Sequence, residues 1–380
     1  MTVCLPPCPS DGHSIHKCKA FPSMTEQHEP STRRQSLLEI LGTFWAWIFL
    51  FLLIVVFSVS SPVFFSPFNL QNILANMSIL TIIAIGQTFV IISAGIDLSS
   101  GWVLGMVSVV AALSLNAMPV GTPLWLALIL ATLVGVMAAL IAGLVNGLLI
   151  ARLNVPPFIA TLGMFGIARG VAFLLSGGMP VPVRTEGLGR VGNGYLFYFH
   201  PKAGWSFLAP PQGLVQADMR QLLGVIPNAV IFMLILLIIA HLVLSRSRFG
   251  LHTYAVGGNK EAALRAGIPV SRTLISIYMI SALFAGFAGV LYGTRFTNGA
   301  ANAGEALLLD SIAAVVIGGA SLFGGAGSVI GTLIGALIIA VLANGLVILN
   351  INPFWQFIAV GVVIIVAVLI DQAREKLIRS

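Results

Sequence analysis

A chain of 380 residues that is 58% hydrophobic and 8% charged, with a mean hydropathy of +1.02, cannot fold as a water-soluble domain, in which roughly 45–50% of residues are apolar and about 25% charged. Its 40 glycines suit close helix packing in lipid. The net charge of +7 does not point to nucleic acid, because the basic residues are spread over loops between apolar runs and form no patch interleaved with stacking aromatics.

From the N-terminus, residues 1–35 read as a disordered cytoplasmic tail. It holds Cys4, Cys8 and Cys18, so the body of the protein has no thiol for a disulfide framework. With His13 and His16 these cysteines match no standard zinc-finger spacing, and metal ligands are expected nowhere in the chain. Met24 opens a stretch that looks like a natural start, which leaves Met1 and Met24 as alternative first residues. No signal peptide precedes it.

Crossing about 30 Å of hydrocarbon takes roughly 17–25 helical residues. Apolar runs of that kind lie near 43–60, 73–93, 124–147, 158–175, 229–244, 274–291, 329–348 and 354–370. Two shorter runs, 102–115 and 307–320, each carry an aspartate close by, Asp97 before the first and Asp310 inside the second. The expectation is therefore an all-α polytopic membrane protein of about ten transmembrane helices, with residues 36–372 as the permease domain and 373–380 as a cytoplasmic tail. Basic residues gather on the cytoplasmic side of membrane proteins. With the N-terminus inside, Arg33, Arg34, Arg152, Arg246, Arg248, Lys260, Arg265, Arg272, Arg374, Lys376 and Arg379 are cytoplasmic. Only Arg184, Arg190, Lys202, Arg220 and Arg295 fall outside, four of them in one long external segment, 176–227. Both termini are then cytoplasmic.

Asn146-Gly147-Leu148, Asn154 and Gly163 recur as Asn344-Gly345-Leu346, Asn352 and Gly361, each pair 198 positions apart. The first copy ends the fourth span inside and the second ends the ninth outside, which makes two inverted five-helix repeats. The two short spans then correspond, and matched short helices point to the substrate path of a transporter.

Several polar groups interrupt the apolar runs. In Gly95-Ile-Asp-Leu-Ser-Ser-Gly101, Asp97 either lines the path or caps the third span beside its helix N-terminus, the capping role being favoured. Arg169, inside the fifth span, needs a partner because a lone arginine in hydrocarbon costs at least a few kcal/mol. Asp97 and Asp310 are the candidates, and a structural ion pair and a place on the translocation path both remain open for the three residues. Asn146 and Asn344 read as polar residues that join helices. The pairs Gly101/Gly105, Gly143/Gly147, Gly166/Gly170 and Gly331/Gly335 read as packing faces. The basic loop 245–272 contains Glu261-Ala-Ala-Leu-Arg-Ala-Gly267, a short helix on the inner membrane face. A phosphate-binding loop needs Gly-Lys before Ser or Thr, and no lysine here follows a glycine. No nucleophile-and-base set appears either, so the chain is not expected to be an enzyme.

Ala94-Gly-Ile-Asp-Leu-Ser-Ser-Gly101, Ser176-Gly-Gly178, Tyr254-Ala-Val-Gly-Gly-Asn259, the Glu261 loop, Leu309-Asp-Ser-Ile-Ala-Ala-Val-Val-Ile-Gly-Gly319 and Ser321-Leu-Phe-Gly-Gly325 together resemble the ribose/xylose/galactose-type ABC sugar transporter permease family, the inner-membrane component of binding-protein-dependent systems, over about residues 40–372. The resemblance implies a fold similar to the vitamin B12 importer permease, a second permease copy or paralogue, a cytoplasmic ABC ATPase subunit and a periplasmic sugar-binding protein. It places Glu261, Ala262 and Gly267 at the ATPase contact, and Asp97 and Asp310 at the family's acidic positions. It further implies a multi-pass protein of the bacterial inner membrane that imports a pentose or hexose by alternating access. The chain would bind no cofactor, ATP being used by the partner subunit. Rival readings are an ABC permease for an autoinducer furanose, a nucleoside or a branched-chain amino acid, and an ion-coupled secondary transporter.

Overall fold

The computed structural model describes residues 32–211, 222–352 and 354–379. The N-terminal cysteines, the two alternative starts and Arg220 lie outside these residues. The helices are α1 (Thr32–Ser60), α2 (Pro67–Ile92), α3 (Ser100–Asn116), α4 (Leu124–Ala151), α5 (Pro157–Ser176), α6 (Leu188–Asn193), α7 (Asn228–Arg246), α8 (Arg248–Gly258), α9 (Lys260–Arg265), α10 (Val270–Phe296), α11 (Glu305–Ile317), α12 (Val329–Ile348) and α13 (Phe354–Arg379). Five short strands accompany them: β1 (Val181–Pro182), β2 (Tyr195–His200), β3 (Gly204–Phe207), β4 (Leu223–Pro227) and β5 (Asn298–Gly299).

The apolar runs fall on helices, and local chemistry sets the ends. Pro67 opens α2 behind Ser66, whose hydroxyl accepts from the Asn69 amide at 3.3 Å, a proline start with a side-chain cap. Ser328 caps α12 by accepting from Gly331 at 3.0 Å. α5 stops at Gly177, whose φ of 62° is left-handed, where glycine has no Cβ penalty. The run 307–320 overshoots its helix, since α11 stops at Ile317 and Gly319 turns with φ 89°.

Among the described residues, six helices are long and apolar enough to cross a bilayer: α2, α4, α5, α7, α10 and α12. Shorter apolar stretches lie at Trp45–Ser60, Ser100–Asn116 and Phe354–Val363. α2 is the axis of the bundle, with 89% of its most apolar window buried, against 33% for α4 and 28% for α5. Its Ile82, Ile83, Ile85 and Ile92 pack with Ile277 of α10 and Ala336 and Ile338 of α12 in one core. Trp125, Ile141, Leu174 and Ile238 instead point outward, an apolar exterior that fits lipid as solvent.

Two expectations are corrected. The fold is not purely α, because β2, β3 and β4, which all lie between residues 176 and 227, pair as an antiparallel sheet in the order β3-β2-β4. Aromatics facing each other across β2 and β3 hold it, with Phe199 on Trp205 at 5.0 Å and Phe197 on Phe207 at 5.5 Å between ring centroids, cross-strand pairs that stabilise a hairpin. The loop 245–272 also carries two helices, α8 and α9, where one was expected.

The two short helices begin against each other. A Cβ on Gly101 of α3 would collide with the Gly304 carbonyl, and one on Gly304, the residue before α11, would collide with Gly101. Gly105 meets the Ala301 carbonyl in the same way. Gly143 and Gly147 bring α4 onto Tyr278, Met279 and Ile275 of α10, and Gly331 and Gly335 bring α12 onto Gly318 and Ala314. Gly166 and Gly170 differ, since a Cβ added at either would meet no atom of another element within 4 Å among the described residues.

Candidate coupling surface and polar core

The segment singled out for docking is α9. Asn259 caps its start, its side chain accepting from the Ala262 amide at 2.9 Å. At its end Ile268 donates to Ala263 and Gly267 to Leu264, each at 3.0 Å, with Gly267 at φ 80°. That is the paired 6→1 and 5→2 closure of a Schellman motif, and the left-handed residue it needs is the glycine. Ala263 is buried and ties the helix to the body, while Ala262 and Leu264 face outward. Glu261 and Arg265 are 87% and 83% exposed and 3.8 Å apart. A pair so open to solvent adds little stability, so the helix offers a rigid, mixed apolar and charged tip.

α8 anchors that tip to two distant loops. The Gly325 amide donates to the Ile92 carbonyl at the end of α2, at 2.8 Å. Gly257 of α8 packs against this pair so closely that a Cβ would overlap the Ile92 carbonyl. The Tyr254 hydroxyl donates to the Gly327 carbonyl at 2.8 Å, and burial pushes its pKa up. Three segments that carried the resemblance, around residues 94, 254 and 324, thus meet at one junction beneath α9.

Asp97 lies deeper, 2% exposed. One carboxylate oxygen accepts from the Ser99 amide at 2.9 Å and the Ser99 hydroxyl at 2.6 Å, and the other from the Ser281 hydroxyl of α10 at 2.7 Å. Gln87 of α2 donates to the Asp97 carbonyl at 2.6 Å and to Ser100 at 2.7 Å, and Asn146 of α4 donates to Ser99 at 3.0 Å. Asp97 and Ser99 together, just ahead of α3, therefore tie α2, α4 and α10 to the start of α3. Sequence reasoning missed Gln87, Ser281 and Tyr278, whose buried hydroxyl has no partner among the described residues. Only Gln87, a carboxamide in the apolar run 73–93, carried a readable signal.

Neither aspartate pairs with Arg169 among the described residues. Arg169 lies on the exposed face of α5, its guanidinium carbon 4.9 Å above the Trp102 ring, a cation–π contact. Asp310, 8% exposed, has no hydrogen bond or ion pair among the described residues. Asn344 lies in the same cavity, its Oδ1 buried without a partner among those residues.

Residues 69–368 match the family described as branched-chain amino acid transport system, permease component. The chain belongs to that family. It is a polytopic integral membrane protein of the permease type, as its six apolar helices require. Within the family it is 37% identical over 356 residues to the ribose import permease protein RbsC of Bacillus subtilis, covering 92% of this chain and 99% of that one. It is 37% identical to the fructose import permease protein FrcC of Rhizobium meliloti, covering 82% and 80% of the two chains. It is 33% identical to the xylose transport system permease protein XylH of Escherichia coli, covering 82% and 87%. The sugar-permease resemblance carried by the motifs is thereby established at family level. No solved structure matches the chain.

Proposed function

We propose that the chain is the membrane subunit of an ATP-driven importer of a pentose or hexose, working by alternating access in a bacterial inner membrane. The observation that carries this reading is the capped, outward-facing α9, seated on α8 at the junction of the loops after α2 and α11. A partner ATPase that draws α9 inward would pull on both loops at once. The names of the ribose, fructose and xylose relatives support the substrate class.

In this reading α1, α2, α3, α4, α5, α7, α10, α11, α12 and α13 are ten spans in two inverted halves, similar to the vitamin B12 importer permease. α3 and α11 are the corresponding short members. Both termini and α8–α9 are cytoplasmic, and the β2–β4 sheet faces the periplasmic sugar-binding protein. A second permease copy or a paralogue covers the outer face of α5. An arginine on the open face of a span is too costly to leave in lipid, and Gly166 and Gly170 beside Arg169 leave room for a close partner. ATP binds to the partner subunit, and this chain needs no cofactor of its own.

The test is uptake of labelled sugars by proteoliposomes containing the permease, its ATPase and its binding protein. ATP-dependent uptake is expected, and Glu261→Lys is expected to abolish it together with co-purification of the ATPase. Uptake that persists without any ATPase, driven by an ion gradient, would overturn the reading.

A further inference from the structure

Asp310 is the one buried carboxylate that the fold leaves without a donor among the described residues, and it does not face packed protein. It lines a cavity of about 260 Å³ together with Asn76 of α2, Asn344 of α12, Gln356 of α13 and aliphatic side chains such as Leu80 and Leu307. The cavity lies toward the end of the bundle that carries the β2–β4 sheet. There Gln71 of α2 donates to the Gly224 carbonyl of β4, and the Arg295 guanidinium donates to Asn76 Oδ1 at 2.8 Å.

The polar atoms of this cavity define what would fill it. Asp310 and the Asn344 Oδ1 are acceptors in need of donors, because a buried polar group without a partner costs about 1–3 kcal/mol and a charged one more. The Asn76 Oδ1 is already occupied, which leaves its NH₂ group free to donate, and the Asn344 and Gln356 amides add further donors. The complement must therefore both donate and accept at several points, as hydroxyl groups do. A single cation would answer the charge but fill only a small part of a space that holds roughly eight waters at about 30 Å³ each. The volume sits just under the usual range of small-molecule pockets, about 300 Å³ and upward, which suits one sugar ring and is too small for two. Aliphatic walls with a few converging polar groups are also the common make-up of such pockets.

We infer that this cavity is a monosaccharide-binding site inside the permease. Asp310 and Asn344 accept from sugar hydroxyls, while Asn76 and Gln356 donate to them. The inference rests on the importer reading for the class of substrate. It adds a station for the sugar within the membrane subunit, on the side from which the sugar is delivered.

Full-length permease in lipid nanodiscs, without ATPase or binding protein, is treated with dicyclohexylcarbodiimide, which labels carboxyl groups in apolar surroundings. Peptide mass spectrometry then follows the rate at Asp310. Ribose, xylose and fructose are added in turn, with maltose as an oversized control and sodium chloride as a cation control. At ten times its Kd, a bound sugar slows labelling about tenfold, and at least one monosaccharide is expected to do so while maltose and sodium do not. Asn344→Ala and, independently, Gln356→Ala are expected to remove the protection while Asp310 remains labelled. Protection by sodium alone, or by nothing tested, overturns the inference, as does protection unchanged in both variants. Protection that fails while ATP-driven uptake runs sinks only this site. Protection that holds while uptake proves independent of ATP sinks only the importer reading.

Discussion

Asp97 and Asp310 stand on the loops and helices that begin against each other at Gly101 and Gly304, yet their surroundings are opposite. Asp97 receives three donors, from the Ser99 amide, the Ser99 hydroxyl and the Ser281 hydroxyl. Asp310 receives none among the described residues and opens onto a cavity. A carboxylate whose acceptor positions are filled by the protein is committed to holding that protein together. One left unfilled inside a folded chain is a standing cost that the fold retains for another reason. In sequence the two looked alike, each an acid in or beside a short apolar run.

The largest effect expected from this contrast is at Asp97. Asp97→Leu strands two serine hydroxyls and a backbone amide in the core, and hydrogen bonds to a charged group are worth about 1.5–3 kcal/mol each. A loss of at least about 3 kcal/mol should follow, read as a large fall in thermal unfolding temperature or as failure to elute as a single species from a sizing column. An Asp97→Leu variant as stable as the wild type would end the structural assignment of this residue.

A step smaller, the glycine pairs sharpen the comparison between packed and open faces. Gly101→Val forces a side chain onto the Gly304 carbonyl and onto Leu308, whose Cβ is already 2.8 Å from the position of an added Cβ. Overpacking of that kind typically costs about 1–3 kcal/mol. A Cβ added at Gly170 meets no atom of another element within 4 Å among the described residues, so Gly170→Val should leave the stability of the single copy within about 0.5 kcal/mol. It should nevertheless weaken self-association, measured by mass photometry or crosslinking in nanodiscs. If Gly170→Val leaves the association untouched, the α5 face around Arg169 is not where two copies meet.

Much of this architecture was legible because the bilayer restricts the options. Runs such as 124–147 and 329–348 had to be helices, since a backbone in hydrocarbon must satisfy itself. Glu261 and Gly267 were legible because a polar, helix-forming stretch ended by glycine has few other forms. The β2–β3 hairpin was not. Tyr195-Leu-Phe-Tyr-Phe-His200 is aromatic on both faces, so it lacks the polar and apolar alternation that marks a strand. α8 was hidden by its glycines, of which Gly257 packs against Ile92 and Gly325 and Gly250 against Leu244 at the end of α7. The partner of Arg169 was expected among the acids, but a guanidinium also rests on an aromatic face, and Trp102 is brought to it only by the crossing of α3 and α5. Whether an aspartate is saturated or open depends on serines as distant as Ser281, which no local pattern records.

The smallest expected effect is the most discriminating. Asp310→Asn keeps the shape of the side chain and removes a charge that no described group in the fold compensates. Replacing an unpaired buried charge by a neutral isostere is neutral or stabilising, so the unfolding midpoint should stay within about 0.5 kcal/mol of the wild type or rise. Asp97→Asn, measured alongside, should fall clearly below it, because an amide returns only one acceptor where the carboxylate offered two. Equal losses in the two variants would mean that Asp310 is also held by the protein, and the contrast between a structural and an available carboxylate would collapse. A stable Asp310→Asn variant that no longer takes up sugar would instead separate folding from function at this position, because the only thing removed is a charge that none of the described residues pairs with.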